Sequence, residues 1–135
     1  MLEIINDATR DETVKVLVIT GTGRAFCVGA NVKSLEFAGG PMTPKDARVD
    51  LLPTILLQRL NKPVIAAING ITAGGGLDIA CACDIRIASE RATFSTIFVR
   101  RGLMPALGGT YFLTRLMVID KACELIWTDD LIDAR

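Results

Sequence analysis

The chain contains no histidine. That excludes Ser–His and Cys–His nucleophile systems and leaves acid–base chemistry to Asp, Glu, Lys, Tyr or water. It also lacks an excess of either charge. Fifteen basic and fifteen acidic residues cancel, so nothing attracts a nucleic acid or an anionic membrane. The N-terminus has no basic stretch followed by an apolar run, so no signal peptide is read. The longest uncharged run, Pro63–Leu77, is fifteen residues long and is broken by Asn69, Thr72 and several glycines. A membrane-spanning helix needs roughly 20 apolar residues. Metal-finger spacing is missing too. Of the four cysteines, Cys27, Cys81, Cys83 and Cys123, only Cys81-Ala82-Cys83 are close, and no ligand cluster accompanies them. They read as buried free thiols in a reducing cytoplasm, and no metal is expected.

What is present is a hydrophobic chain of 135 residues, 50% apolar with mean hydropathy +0.42. Its length fits one domain, residues 1–135, with a sizeable core. The surplus hydrophobicity suggests subunit interfaces. The most informative local feature is Gly74-Gly75-Gly76, between the apolar run Pro63–Gly70 and a short apolar helix at Gly76–Ala82. A helix N-terminus has unpaired N–H groups and a partial positive charge, and glycine admits a ligand to the backbone itself. Asp78 places a carboxylate two residues further on. The triplet is therefore either an anion-stabilising pocket with an acid beside it or a close strand–helix contact with no ligand.

The rest alternates strands with helices, which indicates an α/β fold. Lys15–Thr20 reads as a strand ending at Gly21. Gly21–Phe26 starts like a dinucleotide fingerprint, but Phe26 stands where its third glycine belongs and no helix follows. Residues Asp46–Leu60 carry Val49, Leu52, Leu56 and Leu60 at helical spacing, with Pro53 marking a start or a kink. Val64–Ile68 and Asp84–Ala88 read as strands and Ala92–Phe98 as a strand or extended loop. Helices are expected at about Thr110–Met117 and Lys121–Trp127.

Four fragments in order carry a resemblance: Gly23–Asn31 (GRAFCVGAN), Lys62–Gly70 (KPVIAAING), Ala73–Asp78 (AGGGLD) and Cys83–Ala88 (CDIRIA), followed by Gly102-Leu103-Met104-Pro105 and Gly108-Gly109-Thr110. Together they resemble the crotonase superfamily, the enoyl-CoA hydratases and isomerases, over nearly the whole chain. The resemblance implies a spiral of ββα units, here its core portion, in a homo-oligomer built as a trimer or hexamer. It implies an acyl-CoA thioester as ligand, with coenzyme A as part of the substrate and no separate cofactor. Two backbone N–H groups would polarise the thioester carbonyl; by motif these fall on Val28 and Gly75, and one such donor is typically worth about 10²–10³ in rate. Asp78 matches the position of the first family glutamate. Ala25, Phe26, Gly29, Ala30, Gly74, Phe98 and Leu103 match positions that line the substrate.

The departures bear on activity. Asp78 is one methylene shorter than the family's glutamate, and a misplacement of about 1 Å can cost on the order of 10²-fold. Phe98 occupies the place of the second glutamate and transfers no protons. Val28 stands where the family has a small residue. Leu2–Ala8 aligns with the family's third strand, and the chain stops at Arg135, before the family's C-terminal helices. Two functions follow: an acyl-CoA thioester-binding protein with Asp78 as its only acid–base group, or a catalytically inactive module that persists as an oligomer. Elsewhere, Asp84 reads as a structural hydrogen-bonding residue and Arg100-Arg101 as a solvated pair or a contact for CoA phosphates. Arg24 and Lys33 are further candidates beside the Val28 loop. Trp127, Phe112 and Tyr111 read as core or interface residues.

Overall fold

A computed structural model describes residues 1–29, 53–105 and 107–135. Helix α1 (Leu2–Arg10) comes first, then strands β1 (Leu17–Thr20) and β2 (Ala25–Cys27). Residues 53–59 are helical (α2). There follow β3 (Val64–Ile68), β4 (Ile71–Ala73), helix α3 (Gly75–Ala82), β5 (Ile85–Ala88), β6 (Thr93–Ser95), a 3₁₀ turn at Val99–Arg101, helices α4 (Gly109–Leu116) and α5 (Ile119–Thr128), and β7 (Ile132–Asp133).

Successive strands go to two different sheets. β1, β3 and β5 form one parallel sheet in that order; β2, β4 and β6 form a second, with β7 added antiparallel at its edge. Each turn of chain thus lays one strand on each sheet and closes with a helix, which is the expected spiral of ββα units. The alternation of β3 explains the first sheet: Val64, Ala66 and Ile68 are buried, and Ile65 and Ala67 face the other way. On the inner side Ile19, Ala66 and Arg86 share a row, and on the outer side Val18, Ile65 and Ile85 do. The core gathers Ile19 and Ala66 of that inner row with Phe26, Leu57, Leu77, Ile79, Phe112, Leu113 and Leu125.

The two sheets turn a corner at Asn69-Gly70, and the corner is fastened by side-chain chemistry. Asn69 Oδ1 accepts from the Gly21 N–H at 3.0 Å, and its amide donates to the carbonyls of Gly23 at 3.0 Å and Ala25 at 3.2 Å. A Cβ on Gly70 would stand 2.2 Å from the Arg24 carbonyl oxygen, so only glycine fits. Asp84 accepts from the Val64 N–H at 2.8 Å, the structural role expected of it.

Several elements differ from the sequence reading. Leu2–Ala8 is helical, not a strand: Ile5 and Ala8 pack inward on a one-sided helix, and Lys62 donates to the Ala8 and Asp11 carbonyls at its end. Residues 25–27 form a strand where a dinucleotide fingerprint would start a helix, which disposes of that motif. The strand at 92–98 is shorter than expected and runs into the 3₁₀ turn. Of the expected helix Asp46–Leu60, the part before residue 53 lies outside the described residues. Of the residues read as core or interface, Phe112 is in the core and Trp127 is 71% exposed, which leaves it the interface reading alone.

Candidate functional site

Helix α3 is buried along its entire length. Strand β4 feeds it through Gly74, whose backbone (φ 52°, ψ −125°) is one that L side chains rarely adopt. The Gly74 carbonyl accepts from both Leu77 N–H (2.9 Å) and Asp78 N–H (3.2 Å). The Asp78 bond is the first regular bond of the helix; of the four donors that have no regular partner within it, that of Leu77 is satisfied here and that of Gly74 by the Ser95 carbonyl at 3.1 Å. The Gly75 N–H makes no backbone hydrogen bond outside helix and strand pairing among the described residues, and neither does that of Val28.

The loop after β2 meets this helix start directly. Gly29 has φ 82°, and a Cβ added to it would lie 3.2 Å from the Gly75 nitrogen and 3.4 Å from the Ala73 carbonyl oxygen. Gly75 in turn faces Gly29 and the Leu107 side chain, whose Cδ1 would be 2.5 Å from an added Cβ. Gly76 answers the packing reading of the triplet, because its Cβ would collide with the Cys27 carbonyl oxygen at 2.0 Å. The three glycines thus solve three separate problems: a turn at Gly74, room for the Leu107 side chain at Gly75 and a backbone contact at Gly76.

Asp78 is 2% exposed and lies against the start of α4, where a Cβ on Gly109 would come within 2.4 Å of its Oδ1. Its Oδ2 is buried and has no hydrogen-bond partner among the described residues. Burial raises its pKa from the ordinary aspartate value to about 7, opposed only by the Leu107 N–H, which favours the charged form. A carboxyl poised near neutrality can give or take a proton. Cys81 and Cys83 are also buried and unpaired, and burial pushes their thiols up to about 12 and about 11, too high to act as nucleophiles at neutral pH. Among the described residues no group of three or more metal-ligating side chains forms.

Gly29, Gly74, Gly75 and Phe98 come together, the Phe98 ring reaching within 3.8 Å of a Cβ built on Gly74. Val28 adjoins them with an exposed side chain. Ala25 sits at the sheet corner, and the Phe26 side chain belongs to the core. Leu103 is exposed and its N–H bonds the Phe98 carbonyl at 3.0 Å. Ala30, Asn31 and Lys33 lie outside the described residues. Arg100 is not merely solvated: its Nε lies 2.8 Å from Asp129 Oδ2.

Three contributors were not read from the sequence. Asn69 closes the corner, Leu107 covers Gly75 while its carbonyl accepts from Thr54 at 3.1 Å, and Asp129 gathers residues 95–97. Asp129 accepts from Ser95 Oγ (2.5 Å), Thr96 Oγ1 (3.2 Å) and the Ile97 N–H (2.5 Å). Burial favours its neutral form, but those three donors and Arg100 outweigh it and hold the carboxyl below the usual range. The only sequence signal was an acidic pair at a helix end, a place where Asp adopts left-handed backbone more readily than most residues.

Comparison with known proteins gives a consistent result. The family model for enoyl-CoA hydratase/isomerase matches residues 1–135. A short-chain-enoyl-CoA hydratase of Clostridium acetobutylicum is 37% identical over 97% of this chain and 51% of its own. A 1,2-epoxyphenylacetyl-CoA isomerase of Escherichia coli is 37% identical over 86% of this chain and 46% of its own. The crystal structure of an enoyl-CoA hydratase from Bacillus anthracis superposes with a TM-score of 0.89 at 36% identity, covering 98% of this chain and 52% of that one. The chain spans about half the length of the curated relatives it matches. Matched along its whole length by the family model, and sharing the fold of solved hydratases, the chain belongs to the enoyl-CoA hydratase/isomerase family, with the crotonase fold.

Proposed function

We propose that this chain binds an acyl-CoA thioester and polarises its carbonyl between the N–H groups of Val28 and Gly75. The observation that carries the reading is the close approach of the Gly29 turn to the Gly75 nitrogen, which an added Gly29 Cβ would meet at 3.2 Å, at a helix N-terminus whose Gly75 N–H has no backbone acceptor among the described residues. Donors fixed in advance stabilise a developing enolate oxygen without having to reorganise. Among the described residues Asp78 is the one acid–base group at this site, and its raised pKa supports proton transfer near pH 7. With Phe98 in place of a second carboxylate, two-acid hydration is closed. One-carboxylate chemistry on an enolate remains: proton transfer, decarboxylation or slow hydration. The four unpaired thiols fit a reducing compartment such as the cytoplasm.

Phe98 also favours a second reading, a binding module without turnover. The two part company in sequence. A thermal shift with acetyl-CoA and crotonyl-CoA tests the clamp, since a ligand for the folded state adds about 2.7 kcal/mol at a hundredfold excess over Kd. No shift at millimolar thioester rejects it. If binding is seen, loss of turnover in Asp78→Asn assigns the proton transfer, while absence of turnover in the wild type leaves the module. Phe98→Glu should raise hydration if the pocket accepts the restored acid. Exposed Val18, Ile85 and Ile87 on the outer sheet face and Trp127 on α5 further support a homo-oligomer. A monodisperse monomer in ultracentrifugation at micromolar protein would refute that.

A further inference from the structure

The clamp uses the first turn of α3, but a second buried carboxylate stands behind the glycine turn and is not part of it. Asp129 ends α5 in left-handed backbone (φ 55°), with its own N–H on the Leu125 carbonyl at 3.1 Å. One of its oxygens, Oδ1, receives three donors from three consecutive residues, Ser95, Thr96 and Ile97. Thr96 Oγ1 is also within 3.1 Å of the Leu125 carbonyl, so the segment is tied to α5 twice. Ile97 has φ 56°, a conformation that a β-branched residue keeps only where its surroundings enforce it. The enforcing contact is its own N–H on Asp129.

This segment in turn holds the glycine turn by one hydrogen bond and faces it with two side chains. The Ser95 carbonyl accepts from the Gly74 N–H at 3.1 Å. Ile97 Cγ2 and Phe98 Cζ lie 3.2 and 3.8 Å from where a Gly74 Cβ would stand. We propose that Asp129 is a positioning residue: it fixes the shape of residues 95–98, and these set the Gly74 turn and the direction of the Gly75 N–H. The consequence for thioester polarisation rests on the reading of Gly75 as a donor. Without the carboxylate, Ile97 relaxes to negative φ, its side chain and that of Phe98 leave Gly74, and the Gly74 N–H loses a fixed acceptor.

Asp129→Gly is the decisive variant, because glycine adopts the same left-handed backbone freely while the carboxylate is gone. Asp129→Asn keeps an oxygen for the three donors and gives up only the pairing with Arg100. Two readouts are compared with wild type: amide exchange and ¹H–¹⁵N shifts of Gly74 and Gly75, and the red shift of a bound aryl-conjugated enoyl-CoA, which reports carbonyl polarisation. For Asp129→Gly, Gly74 exchange should accelerate about tenfold or more, both amide resonances should move, and the red shift should shrink. Asp129→Asn should rescue most of each. If Asp129→Gly leaves the Gly74 and Gly75 amides and the red shift at wild-type values, the positioning role is overturned while the clamp stands. If wild type itself gives no red shift at saturating thioester, the clamp falls, and the amide readout alone decides the role of Asp129. Should Asp129→Gly not fold, Ser95→Ala/Thr96→Val removes two of the donors and keeps the ion pair. The same amide changes are expected, and unchanged amides overturn the proposal.

Discussion

Replacing Asp78 by Asn should invert the order of stability between acid and mildly alkaline pH. In the folded chain the Asp78 carboxyl keeps its proton until about pH 7, against 3.8 for an ordinary aspartate. The unfolded chain therefore releases that proton first. Between those values the native state binds one proton more than the unfolded state, so this group's contribution falls by ~1.4 kcal/mol per pH unit as pH rises. The stability is complete below about pH 4 and the loss is complete above about pH 7, where it amounts to about 4 kcal/mol. Asparagine cannot ionise and removes that loss. Its carbonyl can accept from the Leu107 N–H, but its amide must enter the place of Oδ2, which has no hydrogen-bond partner among the described residues. The protonated carboxyl brings at most one O–H to that place, whereas the amide brings two N–H groups, and the added unsatisfied donor costs ~1–3 kcal/mol. The variant is then less stable than wild type at pH 4 by ~1–3 kcal/mol and more stable at pH 8 by a similar amount, with the curves crossing between about pH 4.5 and 6. Urea unfolding of both proteins from pH 4 to 8.5 reads this directly, because every other titrating group is common to the pair. Parallel curves, or a variant less stable throughout, would show that Asp78 is ionised and solvated in the native chain. The argument for a poised acid would then collapse.

The glycine triplet should respond unevenly. Gly76→Ala drives a Cβ into the Cys27 backbone and should destabilise by about 3 kcal/mol or more, whereas Gly75→Ala meets only the movable end of Leu107 and should cost about 1 kcal/mol, both from denaturant midpoints. Arg86→Met should cost ~1–3 kcal/mol in the same assay, since Arg86 Nη1 caps the carbonyls of Ala80, Cys81 and Cys83. A loss below about 0.5 kcal/mol would mean that solvent reaches those carbonyls. Asn69→Ala leaves the Gly21 N–H and two carbonyls without their partner at the corner and should likewise cost ~1–3 kcal/mol, unless water replaces the amide.

The sequence carried the elements whose stability is local or periodic. Val64–Ile68 showed a buried strand in its β-branched run, and the helices at 109–116 and 119–128 showed in their spacing and in the Gly108-Gly109 start. It misjudged Leu2–Ala8, which lacks a capping side chain and owes its helical form to packing of Ile5 and Ala8 and to Lys62, fifty-one residues or more away along the chain. Strands of two or three residues, β4 and β7, exist only because a neighbour holds them, and no periodicity can announce them. At the site, Gly75, Gly29 and Asp78 were legible because their chemistry is written in residue type. Asp129, Asn69 and Leu107 were not, because each acts on a segment more than thirty residues distant and nothing local distinguishes it. The placement of Arg100 failed for the same reason: its partner is twenty-nine positions further on.

Helix α3 has its carbonyl end fully engaged. Arg86 holds two of its last oxygens, those of Ala80 and Cys81, and that of Cys83 just beyond; Gln58 donates to the Ala82 carbonyl at 2.7 Å, and the Cys83 thiol reaches the Ile79 carbonyl. Arg86 stands on β5, so the helix is bolted to the sheet rather than floating over it. A rod fastened at one end cannot slide along its axis to meet a ligand, and its other end is consequently a fixed reference point. If that point is the proposed thioester clamp, discrimination among acyl groups resides in whatever surrounds it, and changes in the surrounding loops would alter what is accepted without recalibrating the helix itself.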